Sequence, residues 1–101
     1  MRTVKLTLIG KPGCHLCDDA REVIVGVRAD AASRGVNTEL EELDILQDPA
    51  LARKYAEHIP VVQIGGKQHA IWRVDAVRLT AAIDKAARGG IFSQFVKDSP
   101  S

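Results

Sequence analysis

Cys14 and Cys17 are the two cysteines of this 101-residue chain, and two residues lie between them. Paired thiols at that spacing exchange with disulfides or ligate a metal. They stand in Gly10-Lys11-Pro12-Gly13-Cys14-His15-Leu16-Cys17, between an apolar run ending at Ile9 and a helix-periodic segment opening at Leu16. A strand that hands over to a helix here sets Cys14 at a helix start, where unpaired N–H groups and the helix dipole favour an anion. Exchange needs that anion, because a free thiol with a pKa of about 8.5 is mostly protonated near neutrality. Lys11 adds positive charge if the turn folds it back, whereas Asp18 and Asp19 oppose it. The pattern predicts that Cys14 ionises more readily than an ordinary thiol.

The bulk composition limits what else the chain can be. With 101 residues, 46% of them hydrophobic and 27% charged, it has enough apolar material for one packed domain and not for two. A formal charge of +1, with both signs mixed along the chain, argues against nucleic acid or an anionic membrane held by charge alone. One Trp, one Tyr and two Phe are too few to stack bases. Arg2 and Lys5 precede apolar residues, but Leu6-Thr7-Leu8-Ile9 is too short for the core of a secretion signal. No apolar run approaches membrane-spanning length. Two cysteines so close together cannot staple a secreted scaffold, so the expected compartment is the cytoplasm, where such a pair is catalytic or metal-binding.

The elements that must position the pair follow in order. Residues 3–9 alternate apolar and polar and read as a strand broken by Gly10, Pro12 and Gly13, with full burial expected only at Leu8-Ile9. Leu16, Ala20, Val23, Ile24, Val27 and Ala31 recur at helical spacing, and Gly35 ends that helix as a C′ glycine. A second strand lies within Glu39 to Ile45, with Leu43 and Ile45 facing together; Leu40-Glu41-Glu42-Leu43 interrupts the alternation and leaves room for a bulge. Asp48-Pro49 starts a short helix, with Asp as N-cap and Pro at the first helical position, carrying Leu51, Ala52 and Tyr55 on its apolar face. Ile59-Pro60 leads into a strand at Val61 to Ile64, and Gly65-Gly66 turns it into another at Lys67 to Arg73. Asp75 caps a last helix with Val74 and Leu79 as a hydrophobic staple, Leu79, Ala82, Ile83 and Ala86 as its buried stripe, and Gly89-Gly90 as its stop. This makes a domain over 1–90 and a C-terminal tail over 91–101, which Phe92 and Phe95 dock and whose last residues, 99–101, fray. The order β-α-β-α-β-β-α, with a βαβ crossover and a closing hairpin, folds economically as an α/β domain: a four-stranded mixed sheet with helices on both faces.

Motif and element order together resemble the glutaredoxin-like branch of the thioredoxin-fold family over residues 3–88. Lys11-Pro12-Gly13-Cys14-His15-Leu16-Cys17 resembles the family's Lys-x-x-Cys-x-x-Cys, Ile59-Pro60 its Val-Pro with a cis proline, and Asp44 to Pro49 its acidic link into the second helix. The chain departs from it in lacking Pro and Tyr between the cysteines and in having Leu8 where thioredoxins bury an acid. It also has Ile71-Trp72-Arg73-Val74-Asp75 where glutaredoxins hold glutathione with Gly-Gly-x-Asp-Asp, keeping at most one acid. That removes the usual case for glutathione, and no tightly bound cofactor is expected.

The resemblance implies a dithiol oxidoreductase. Cys14 attacks a substrate disulfide, and Cys17, one turn on and less exposed, resolves the mixed disulfide. Pro60 is implied to be cis and to leave the backbone of Ile59 free to pair with substrate as an added strand. Lys11 and His15 are candidates for tuning the thiolate, His15 through a partly protonated imidazole. His58 and His69 read as surface residues; Trp72 is a candidate for lining a substrate groove but reads first as strand packing, and Arg53, Lys54 and Arg73 are candidates for meeting an acidic substrate but read first as solvated charges. The implied partner is a disulfide-bearing protein or a small thiol, with a reductase as electron source and the chain a monomer. Two other classes remain open at this point. One is a metal module, in which Cys14 and Cys17 hold zinc with His15 or His58, or a dimer shares an iron–sulfur cluster; zinc normally takes four ligands in paired knuckles, and the chain has one Cys-x-x-Cys. The other is an interaction domain that keeps the fold without redox work.

Overall fold

The computed structural model describes the backbone of residues 2–98 and the side chains of residues 2–88. The elements are β1 (Val4–Gly10), α1 (His15–Ser33), β2 (Thr38–Asp44), a single 3-10 turn (Ile45–Gln47), α2 (Pro49–Tyr55), β3 (Val61–Ile64), β4 (Lys67–Ile71) and α3 (Ala76–Asp98). The sheet order is β2-β1-β3-β4. β1 and β2 are parallel from Val4↔Thr38 to Gly10↔Asp44. β3 runs antiparallel to β1, with Ile9 opposite Val61, and β4 antiparallel to β3, with Val61 opposite Ile71.

β1 is central and more buried than its alternating sequence predicts: Lys5 is exposed, while every other residue from Val4 to Gly10 is covered. The helix layers explain this. Val4, Leu6 and Leu8 point into the larger core beneath α1 and α3, with Ile24, Val27, Leu79 and Ile83. Ile9 points the other way, into a smaller core with Ile45 and Val61 on which Leu51, Ala52 and Tyr55 of α2 pack. Thr7, 6% exposed, shares that second face with its register partner Gln63, whose amide donates to Tyr55 Oη at 3.3 Å. Seven-residue α2 covers only this end of the face. Lys5, two residues back, stays in solvent and pairs with Glu41 at 3.3 Å.

The same two-faced packing resolves the irregular pattern in β2. Leu40 packs on the α1/α3 core and Leu43 on the α2 core. Residues three apart on a strand point to opposite faces, so both leucines are used without a bulge, and pairing with β1 is continuous. Ile45 is not part of the strand; it is buried in the 3-10 turn that follows.

Caps set the ends of the helices. Asp48 accepts from the N–H groups of Ala50 and Leu51, with Pro49 at the start of α2. α1 ends in a Schellman arrangement: the N–H groups of Gly35 and Val36 donate to Ala32 and Ala31 carbonyls at 3.0 and 2.9 Å, and Gly35 takes φ 84°. Asp75 Oδ2 accepts from the Arg78 N–H at 3.2 Å, while Val74 and Leu79 meet in the larger core as the staple requires. The buried stripe of α3 is Leu79, Ile83 and Ala87, with Ala82 and Ala86 flanking it.

Gly89-Gly90 does not stop this helix, whose backbone continues to Asp98. Glycine permits a left-handed cap but adopts right-handed helix as well, and no proline intervenes before Pro100. Docking by Phe92 and Phe95 and fraying at 99–101 fall outside the described residues. His69, expected at the surface, is half-buried; burial first, and nearby Arg78 second, hold its pKa below the ordinary 6.5. No helix is long and apolar enough to cross a membrane among the described residues.

Candidate functional site

The Cys14–Cys17 pair sits where β1 ends and α1 begins. The two residues are joined by a disulfide, with Cα atoms 5.1 Å apart. Cys14 is the N-cap of 19-residue α1, in extended backbone, and the Cys17 N–H donates to Cys14 Sγ at 3.1 Å. A sulfur thus occupies the position that a Ser or Asp oxygen fills in an ordinary cap. It faces the unpaired N–H groups of the first turn, the setting that stabilises a thiolate once the bond is reduced.

The two sulfurs are not equivalent. Cys14 is half-buried, whereas Cys17 is 1% exposed. Cys17 packs against Gly10: a Cβ built on that glycine would stand 2.8 Å from Cys17 Sγ and 3.2 Å from its Cβ. Gly10 is therefore more than a strand breaker, because its missing side chain makes the space in which the second cysteine lies. Gly13, at φ 77°, completes the turn that lifts Cys14 to the helix start.

Lys11 and His15 are both exposed on this turn. Lys11 shares with Cys17 a cleft of about 340 Å³ whose other wall includes Glu42 and Asp44 of β2. Arg21 spans the cleft, bonding Asp18 at 2.9 Å and Glu42 at 2.8 Å. The Asp18 carboxylate near the helix start is thereby paired with a cation, which reduces its opposition to a thiolate. The hydrogen bonds it donates, to Glu42 first and Asp18 second, hold the guanidinium of Arg21 above its ordinary pKa.

Register brings the second candidate element to the same place. Ile9 opposite Val61 is the last pair between β1 and β3, and Gly10 and Pro60 are the next residues beyond it on the two chains. Pro60 is fully buried and the Ile59–Pro60 peptide is cis. The Pro60 carbonyl accepts from the Trp72 N–H at 2.8 Å, whereas no described residue engages the N–H or C=O of Ile59. Cys14, Cys17, Ile59 and Pro60 thus converge at one end of the sheet.

Trp72 is the residue that sequence reasoning misplaced. β4 stops at Ile71, and Trp72 lies beyond it, 51% exposed, with φ 66°. Left-handed backbone at a bulky residue costs about 1–2 kcal/mol. It is held there by its own N–H on Pro60, by Nε1 donating to the Glu57 carbonyl at 3.2 Å, and by stacking on His58 with planes 8° apart and centroids 6.5 Å apart. No turn residue marks the position in the sequence; the signal available was that the chain's one Trp follows a short strand. Arg53, Lys54 and Arg73 are exposed, with the Lys54 ammonium 5.3 Å from the Tyr55 ring centre. His58 and His69 do not join the cysteines: no three His, Cys, Asp or Glu side chains gather to hold a metal ion among the described residues.

Residues 5–84 match the glutaredoxin-like domain family (DUF836). The chain belongs to that family. Similar proteins include uncharacterised proteins of Mycobacterium tuberculosis and Mycobacterium bovis, each 24% identical over 89 residues, a match covering 88% of this chain and 92% of theirs. Among solved structures, a structural-genomics protein of X. campestris is 33% identical, with a TM-score of 0.63 over 78% of this chain and 95% of its own. A protein of Nitrosomonas europaea is 27% identical, with a TM-score of 0.61 over 81% and 93%. Chloroplastic thioredoxin z, at 13% identity, has a TM-score of 0.64 over 82% of this chain and 77% of its own, and shares the fold. The glutaredoxin-like chain is thus an α/β domain of thioredoxin fold, and its cysteine pair is compatible with redox function.

Proposed function

We propose that this glutaredoxin-like domain is a dithiol–disulfide oxidoreductase in which Cys14 is the nucleophile and Cys17 the resolving thiol. The observation that carries the reading is the asymmetry of the pair. Cys14 Sγ caps a long helix and accepts the Cys17 N–H, while Cys17 is enclosed over Gly10. In the reduced protein the Cys14 thiolate attacks one sulfur of a substrate disulfide. A Cys14–substrate S–S bond forms, the substrate S–S bond breaks, and the departing thiolate takes a proton from solvent. Cys17 loses its proton and attacks Cys14 Sγ, restoring the Cys14–Cys17 bond and releasing the second substrate thiol. Two electrons pass from the dithiol to the substrate, and a thiol or dithiol reductant returns them.

Ile59 supplies the docking edge. Its backbone N–H and C=O lie beside buried Pro60 and are free to pair with an extended substrate. Lys11 adds positive charge beside the cleft that Cys17 lines, and exposed His15 stands between the two cysteines in sequence. Glutathione is not the preferred substrate in this reading, because Trp72 and Arg73 occupy the segment that would have to hold its termini. The partner is a protein disulfide.

The reading is tested by alkylating the reduced protein with iodoacetamide across pH and following Cys14 by mass. Half-maximal rate is expected well below the pH of about 8.5 at which a free thiol ionises. A midpoint at or above that value would contradict an activated Cys14.

A further inference from the structure

We propose that Trp72 is a specificity-determining residue, a rigid ledge that receives the side chain next to the cysteine in an extended peptide disulfide; this rests on the dithiol reading above. Trp72 is fixed at three points, its backbone N–H on the Pro60 carbonyl, its indole Nε1–H on the Glu57 carbonyl and its ring stacked on His58, yet the residue remains 51% exposed. A large apolar side chain locked in left-handed backbone and left half in solvent contributes little to either core, so packing does not account for it.

Its position fits a docking role. Ile9, Val61 and Ile71 stand in register across three strands, so Trp72, one residue past Ile71, lies on the same rim as Gly10 and Pro60. The Trp72 N–H bonds the carbonyl of Pro60, and the next backbone groups upstream are the unengaged N–H and C=O of Ile59. A peptide laid along Ile59 with its sulfur on Cys14 runs past the indole. Backbone pairing gives such a ligand affinity, and an apolar pocket or ledge beside it gives discrimination. The half-exposed indole offers an apolar aromatic face beside the Ile59 backbone, so the geometry selects an apolar residue next to the peptide's cysteine. A small disulfide reaches Cys14 without touching Trp72.

Because Trp72 is the chain's one tryptophan, its fluorescence reports directly on the contact. The Cys17→Ser protein is loaded at Cys14 with a thionitrobenzoate-activated peptide carrying Leu beside its cysteine, or with 2-mercaptoethanol through the same activated disulfide. Each loading forms one S–S bond and releases one thionitrobenzoate. The peptide adduct is expected to shift Trp72 emission to shorter wavelength than the mercaptoethanol adduct; identical spectra would overturn the proposal. In turnover, Trp72→Ala is expected to lower kcat/KM for the peptide disulfide about tenfold, mainly through KM, as loss of one aromatic contact implies. Turnover of 2-hydroxyethyl disulfide should stay within about twofold by the same reasoning, and Trp72→Phe should recover most of the peptide rate. Equal losses on both substrates, or none on either, would refute the assignment. Loading is chemical, so an emission shift without wild-type turnover would retain the ledge and reject the dithiol enzyme.

Discussion

Cys14→Ser is expected to reduce disulfide exchange to the uncatalysed rate, and Cys17→Ser to give a protein that reacts once and stays joined to its substrate. Each replacement changes one sulfur to oxygen, at residues three apart, yet the proposed roles give them opposite outcomes. Serine at Cys14 keeps a capping oxygen for the Cys17 N–H, so α1 keeps its start; what disappears is the nucleophile. Serine at Cys17 leaves Cys14 at its cap and removes the only sulfur on this chain able to attack the mixed disulfide. Incubation with a peptide disulfide followed by intact mass should show one peptide per Cys17→Ser chain and none on Cys14→Ser. Adducts on both variants at similar rates would mean that the two sulfurs are interchangeable, against their difference in exposure.

Gly10→Ala is the second large effect. The added methyl would come within 2.8 Å of Cys17 Sγ, closer than van der Waals contact allows. Cys17 is 1% exposed and bonded to Cys14, and α1 is anchored behind it by Ala20, Ile24 and Val27, so the sulfur has little room to retreat. Overpacking of this kind costs about 1–3 kcal/mol. Chemical denaturation should show that loss, and resolution of the mixed disulfide should slow because Cys17 is pushed off its line to Cys14. A Gly13→Ala control separates the causes: no described atom lies within 4 Å of a Cβ there, and the penalty comes from φ 77° alone. Equal stability of the Gly10→Ala and wild-type proteins would place Cys17 elsewhere than over Gly10.

Local signals made most of the architecture legible. Asp48-Pro49, Gly35, Gly65-Gly66 and the Val74–Asp75–Leu79 cap are chemistry that the backbone must satisfy within a few residues, and each acts where its sequence places it. Packing decided what local patterns could not. Leu40 and Leu43 broke the alternation of β2 because its two faces serve two cores, and Thr7 was buried because Tyr55 and Gln63 close over that end of β1. Gly89-Gly90 carried a stop signal that helical backbone overrode.

At the site, the cysteine spacing and the strand–helix junction pointed to the N-cap, where Cys14 is found. Two determinants were hidden. Gly10 looked like punctuation, and its contact with Cys17 exists only because α1 folds back over β1. Trp72 reads as a strand residue, since no propensity signals a left-handed tryptophan; its conformation follows from bonds to Pro60 and Glu57, residues 12 and 15 positions away.

Dithiol chemistry requires a Cys14–Cys17 bond poised for exchange. The direct measurement is its reduction potential, read by equilibrating the protein in thiol–disulfide buffers and counting alkylated cysteines by mass. A single two-electron transition is predicted within the span of about −270 to −120 mV occupied by catalytic Cys-x-x-Cys pairs. A bond that resists reduction below about −300 mV would mark a structural staple and contradict the proposed function.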